Sequence, residues 1–165
     1  MAERMKKARI LIFSNLLFLI LSSSLYAAEV VNEEARINIW YPDNWKMTSD
    51  EDTLMLADPD GEAVVMYMLL PTAEMEQAIK EINKDLASII ELTEVGEPKE
   101  MEVNGMRSVY LDAQGKIEEV KIGVGIIFIY TLANKLLLVM SMVESGKYEK
   151  HEETLAKIIM GIKPR

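Results

Sequence analysis

Between Ile117 and Val143 the chain reads IEEVKIGVGIIFIYTLANKLLLVMSMV, a nearly continuous apolar run interrupted in its middle by Ala133-Asn134-Lys135. Such a run can cross a membrane or fold back on itself as two buried strands. Crossing would put Asn134 and Lys135 near the hydrocarbon centre, where a charge costs roughly 3 kcal/mol on insertion scales. A hairpin puts both in a solvated turn, and is the structure the sequence predicts. By the two-residue period of a strand, Val120, Ile122, Val124, Ile126, Phe128, Tyr130 and Leu132 share one face, expected to be core throughout. Lys121, Gly123, Gly125, Ile127, Ile129 and Thr131 share the other, which begins bare and turns apolar only from Ile127. The return strand, from Leu136, is apolar on both sides. Strands buried on both faces belong inside a sheet with layers above and below.

Residues 1–28 have the layout of a secretory signal: Arg4, Lys6, Lys7 and Arg9, then the apolar run Ile10 to Leu21, then small residues ending at Ala27-Ala28. Cleavage is expected after Ala27 or Ala28, the alternative being a retained N-terminal anchor. The twelve residues of Ile10 to Leu21 are short for a span, which needs roughly 20. Residues 29–165 then form a single domain. Cleavage removes four of the 18 basic residues and one of the 27 acidic ones, leaving a net charge of −12. Such a surface repels phosphate backbones and anionic lipid heads, so nucleic acid is excluded as a partner. There is no cysteine, hence no disulfide, no thiolate ligand and no thiol for lipid attachment.

Along this domain Ala35 to Tyr41 alternates polar and apolar, as a half-buried strand does, and Pro42-Asp43-Asn44-Trp45 breaks it. Thr53 to Ala57 is a second strand, Asp58-Pro59-Asp60-Gly61 a tight turn, and Ala63 to Leu70 a strand apolar on both faces. Thr72 is the expected N-cap of a helix to about Leu92, with Met75, Ile79, Ile82, Leu86, Ile89 and Ile90 as its apolar stripe. Lys99 to Val103 and Arg107 to Leu111 form a hairpin through Asn104-Gly105, the pair best suited to a type I′ turn. A turn at Ala113-Gln114-Gly115 is expected to lead into the long hairpin. Ser145 is the expected cap of a closing helix, Lys147 to about Met160, whose Tyr148, Leu155, Ile158, Ile159 and Ile162 face inward and whose stop is Gly161. The reading is an α+β domain with a central antiparallel sheet of six to seven strands and a helix on each face.

That order of elements, with Tyr41-Pro42-Asp43-Asn44-Trp45 after the first strand and the closing Ile158-Ile159-Met160-Gly161-Ile162, resembles the PsbP-like superfamily. The superfamily includes the photosystem II extrinsic protein, Ran-binding Mog proteins and many small exported bacterial proteins. The resemblance implies an α/β/α sandwich. It implies neither photosynthesis nor Ran binding, because no catalytic signature transfers residue by residue. Several bacterial relatives are lipoproteins, from which this chain departs by lacking the cysteine.

The residues offer little chemistry. His151, the sole histidine, borders the apolar face of the last helix, and no Gly-x-Ser-x-Gly elbow accompanies it, so no catalytic residue and no enzyme activity is expected. Met66 and Met68, like Met140 and Met142, share a strand face, and thioethers suit Cu(I); adaptable core packing explains the same residues without metal. Asp58-Pro59-Asp60-Gly61 begins like a calcium loop but Glu62-Ala63-Val64-Val65 lacks the remaining ligands. No metal and no cofactor is therefore expected. The surface singled out for a ligand or partner comprises Trp40 and Trp45 beside their turn, together with Lys121, Gly123 and Gly125 at the bare start of the long strand. The expected role is an exported, non-enzymatic protein-binding or accessory factor of the cell envelope. The alternative is a small-ligand carrier with a pocket between sheet and helix.

Overall fold

A computed structural model describes residues 27–50, 53–86 and 90–165. The order is β1 (Ala27–Asn32), β2 (Ile37–Pro42), β3 (Lys46–Asp50), β4 (Thr53–Ala57), β5 (Ala63–Leu70), α1 (Met75–Leu86), β6 (Glu91–Val95), β7 (Lys99–Val103), β8 (Met106–Ile117), β9 (Val120–Tyr130), β10 (Leu136–Glu144), α2 (Tyr148–Met160) and β11 (Ile162–Pro164). Eight strands form one antiparallel sheet in the order β3-β4-β5-β10-β9-β8-β6, with β7 also paired to β8. A separate three-stranded sheet runs β1-β2-β11. The fold is α+β and dominated by antiparallel sheet, larger than the six to seven strands expected. Not expected were β3 and β6 in the main sheet, exposed at every or nearly every position, and β1 and the three-residue β11 in the smaller sheet, where they flank β2.

The long hairpin is the centre of the main sheet. Leu138 lies between Met68 on β5 and Phe128 on β9 in register, and the chain reverses near Asn134, whose φ of 58° is the left-handed conformation that asparagine tolerates. Successive residues separate into two cores by the strand period. Val65, Tyr67, Ile127, Ile129, Leu137 and Val139 face the three-stranded sheet and α2, meeting Ile37, Ile39, Leu155, Ile158 and Ile162. Met66, Ile126, Phe128, Leu136, Leu138 and Met140 face the other way, where Ala78 of α1 is buried with them and Met75 and Ile79 pack alongside. The face of β9 expected to be core throughout is core only from Ile122 to Phe128, because Val120 and Leu132, at its ends, are exposed.

Four local expectations are corrected. Ala113-Gln114-Gly115 is not a turn: β8 continues through it, held by β6 on one side and β9 on the other, and the reversal comes at Glu118, with φ of 54°. Gly115 is glycine because β6 comes so near that a Cβ there would lie 3.0 Å from the Glu91 carbonyl oxygen. The first helix is described over Met75–Leu86 and does not reach Leu92, which belongs to β6; Ile82, Leu86 and Ile89, placed on its stripe, lie outside the side chains described. Ser145 does not cap α2, whose N-cap is Lys147 without a side-chain bond; the Ser145 amide instead donates to the Lys121 carbonyl. Tyr148 is not inward but exposed, and Ile162 packs from β11 rather than from the helix. Residues 1–26 lie outside the described residues, and β1 begins with Ala27 and Ala28 paired to Pro42 and Tyr41.

Candidate functional site

The bare corner of β9 becomes the floor of a groove. Register places Gly123 between Gln114 and Val143, and Gly125 between Asp112 and Ser141, with Ile127 and Tyr110 on the next rung. All of these project toward α2. Between one flank of α2 and the glycines of the sheet a groove of about 630 Å³ remains. One wall is the flank of α2, from Tyr148 and Glu152 through Ala156 to Ile159 and Met160, and Met101 of β7 also lines the groove.

The two floor glycines differ. A Cβ on Gly125 would stand 2.7 Å from the Ser141 hydroxyl, so that position is already filled by its neighbour. A Cβ on Gly123 would meet only the Gln114 amide nitrogen, at 4.0 Å, so the space above it is open. The Ser141 hydroxyl donates to the Gly125 carbonyl at 3.4 Å, and the Tyr110 hydroxyl donates to Asp112. Tyr148 and Met160 are 55% and 50% exposed, whereas Leu155 and Ile158 of the same helix are buried.

Of the five residues singled out from sequence, Gly123 and Gly125 line the groove. Lys121 stands one rung beyond Gly123, opposite Lys116 and outside the lining. Trp45 is buried in the first core and Trp40 packs against that core. Trp40 also accounts for Gly161: its amide donates to the Gly161 carbonyl at 3.2 Å, and a Cβ at 161 would lie 2.8 Å from the Trp40 Cβ. Neither tryptophan lines the groove.

A second cluster escaped sequence reading. Asp58 is buried in the β4–β5 turn, where its Oδ1 accepts the Ala63 amide at 2.8 Å and its Oδ2 accepts the Asp60 amide at 3.2 Å. Glu62, at the end of the same turn, meets Lys147 Nζ at 2.9 Å, Lys150 Nζ at 2.6 Å and His151 Nε2 at 3.2 Å. The hydrogen bonds from Lys147, Lys150 and His151, in that order, hold the Glu62 carboxyl at about 2, against an ordinary 4.5. Ligand atoms of Asp58, Glu62 and His151 lie within 4.8 Å of one another, the spacing of a cation site. Two ammonium groups already neutralise Glu62, however, and oppose any added cation. The cluster is a latch that ties the first turns of α2 to the β4–β5 turn.

Fold and groove together define a small α+β domain built on an antiparallel sheet. Among solved structures the chain is similar to cyanobacterial PsbP (CyanoP) from Synechocystis, at 10% identity over 87% of this chain and 95% of that one, with a TM-score of 0.57. It is similar also to a Pseudomonas aeruginosa protein of unknown function, at 15% identity over 84% and 97% with a TM-score of 0.53. A third is LpqN of Mycobacterium tuberculosis, described as involved in cell envelope biogenesis, at 9% identity over 88% and 94% with a TM-score of 0.50. At these identities the likeness is one of fold. No family model and no curated protein matches the sequence. Among the described residues, no helix is long and apolar enough to cross a membrane.

Proposed function

We propose that this chain is an exported, non-enzymatic accessory protein of the cell envelope that holds a segment of a protein partner in the groove between α2 and β8–β9. The observation that carries the reading is the groove itself: open at the top, floored by glycine, and flanked by exposed Tyr148 and Met160, side-chain types enriched where proteins meet. The non-enzymatic part rests on what lines it. Ser141 is the lone serine there, and no histidine or lysine lines the groove to serve it as a base. Export rests on the signal-like pattern of residues 1–28. In this reading α1 is the cover of the opposite sheet face, completing a helix on each side and leaving the α2 face for binding.

The volume favours one rival, a small-ligand carrier, since about 630 Å³ lies in the range of small-molecule sites, roughly 300–1,000 Å³. A photo-crosslinking residue at Met160 in the full chain, in its native envelope, separates the two. A discrete protein adduct that disappears when Gly123→Leu fills the groove is the expected result. Adducts that persist in Gly123→Leu would overturn the proposal, and a small molecule copurifying with the wild type but not with Gly123→Leu would favour the carrier.

A further inference from the structure

We infer that the partner segment carries a lysine or arginine beside apolar side chains, and that this basic side chain lies between Asp112 on the sheet and Glu152 on α2. The inference rests on the groove being a protein-binding site and specifies what it takes. The groove contributes two charged side chains and both are acidic, one on the floor and one on the helical wall. The rest of the wall, Leu155, Ala156, Ile159 and Met160, is apolar. A long basic side chain matches both parts, because its methylene stem packs on apolar surface while its head needs a carboxylate.

The two carboxylates are available to different degrees. Glu152 has no ionic partner among the described residues. Asp112 accepts the Tyr110 hydroxyl, which fixes its orientation, and its other oxygen faces Lys99 Nζ at 3.6 Å with both side chains more than half exposed. An exposed pair at that distance contributes little, so an incoming cation displaces Lys99 at small cost. An acidic partner meets the opposite situation: repulsion from both carboxylates, in a chain whose net charge is −9. Lys116 and Lys121 occupy the rung beyond the lining, and Glu91 lies opposite Lys116 in the register, so the lysine pair is partly offset. They bound the basic site at that end and make an acidic segment the alternative that the test must reject.

The test uses three acetylated and amidated peptides, Leu-Xaa-Leu-Xaa-Leu-Ala with Xaa as Lys, Gln or Glu, titrated at physiological salt into the isotopically labelled full chain. Expected are amide shifts at Gly123 and Gly125 and a tightest Kd for the lysine peptide. Glu152→Gln, at an exposed helix position, leaves the fold intact and weakens that peptide; adding Asp112→Asn weakens it about tenfold in all, to the level of the glutamine peptide. Equal or tighter binding of the Gln or Glu peptide at the same amides would overturn the inference while leaving the groove as a binding site. Lysine-peptide shifts confined to residues outside the groove would overturn it too. The groove reading falls separately, on crosslinks that survive Gly123→Leu.

Discussion

Glu62 shows how much one side chain can organise without any catalytic purpose. Its carboxylate is shared by Lys147, Lys150 and His151, and Lys150 also reaches Asp60 at 2.8 Å, so the start of α2 is held to the β4–β5 turn through several contacts at once. Single exposed ion pairs contribute little, and a network anchored on one carboxylate contributes more. Because folding lowers the Glu62 pKa from 4.5 to about 2, its contribution is fully present above pH 4.5 and is lost as pH falls toward 2. Glu62→Gln is therefore expected to be less stable than wild type at neutral pH, with the difference shrinking through that window. Urea unfolding followed by circular dichroism between pH 7 and pH 2 measures it, and a gap independent of pH would mean that Glu62 acts by packing alone. None of this is written locally in the chain. Asp58-Pro59-Asp60-Gly61 announces a turn, and Gly61 with φ of 73° bears that out, but His151 lies 89 residues from Glu62.

Elements assigned from sequence are those whose residues respond to their own neighbours in the chain. Ala63–Leu70 and Lys99–Val103 fall at the expected bounds because Pro71 and the Asn104-Gly105 turn end them. The turn at Gln114 failed for the opposite reason: Gly115 answers to Glu91, a residue on another strand. Likewise β3 and β6, edge strands of the sheet, carry polar exposed residues, and without a buried face they lack the alternation that reveals a strand. Asn104 joins both kinds of information. With φ of 48° it serves the type I′ turn that sequence foretold, while its Nδ2 donates to the Met160 and Ile162 carbonyls at 2.8 and 2.7 Å, closing the end of α2. Two substitutions separate these roles. Asn104→Gly keeps the turn and loses the cap, and is expected to cost about 1–2 kcal/mol; Asn104→Ala also strains the turn and should cost more. Thermal unfolding of the two variants checks the order, and equal losses would assign the whole effect to the cap. The groove was legible at this scale only as a strand face without side chains, since its walls come from α2, β7, β8 and β10.

At the scale of the whole molecule, the two sheet faces are covered differently, and methionine reports the difference. Leu155 and Ile158 of α2 share one core with the second sheet, while from α1 Ala78 is buried in the other core and Met75 and Ile79 pack against it. Met55, Met66 and Met140 form one continuous rung on the α1 side, each directly opposite the next. Their exposure falls from 39% to 8% to 1% from the edge of the sheet inward. The gradient matches the packing role expected of an adaptable side chain, with the thioethers buried in sequence from the rim. Oxidation to the sulfoxide follows access, so brief peroxide treatment is expected to modify Met47, Met55 and Met160 first. Met66 oxidises far more slowly, and Met106 and Met140 react only on the timescale of global unfolding. Peptide mass spectrometry across a peroxide time course resolves the order. If Met140 is oxidised together with Met55 while circular dichroism remains native, the α1 face opens without unfolding, and α1 is then a mobile cover. If instead Met66 and Met140 stay intact until the native signal is lost, both faces belong to one cooperative core, beside which the α2 groove is a surface feature that opens without loosening the sheet.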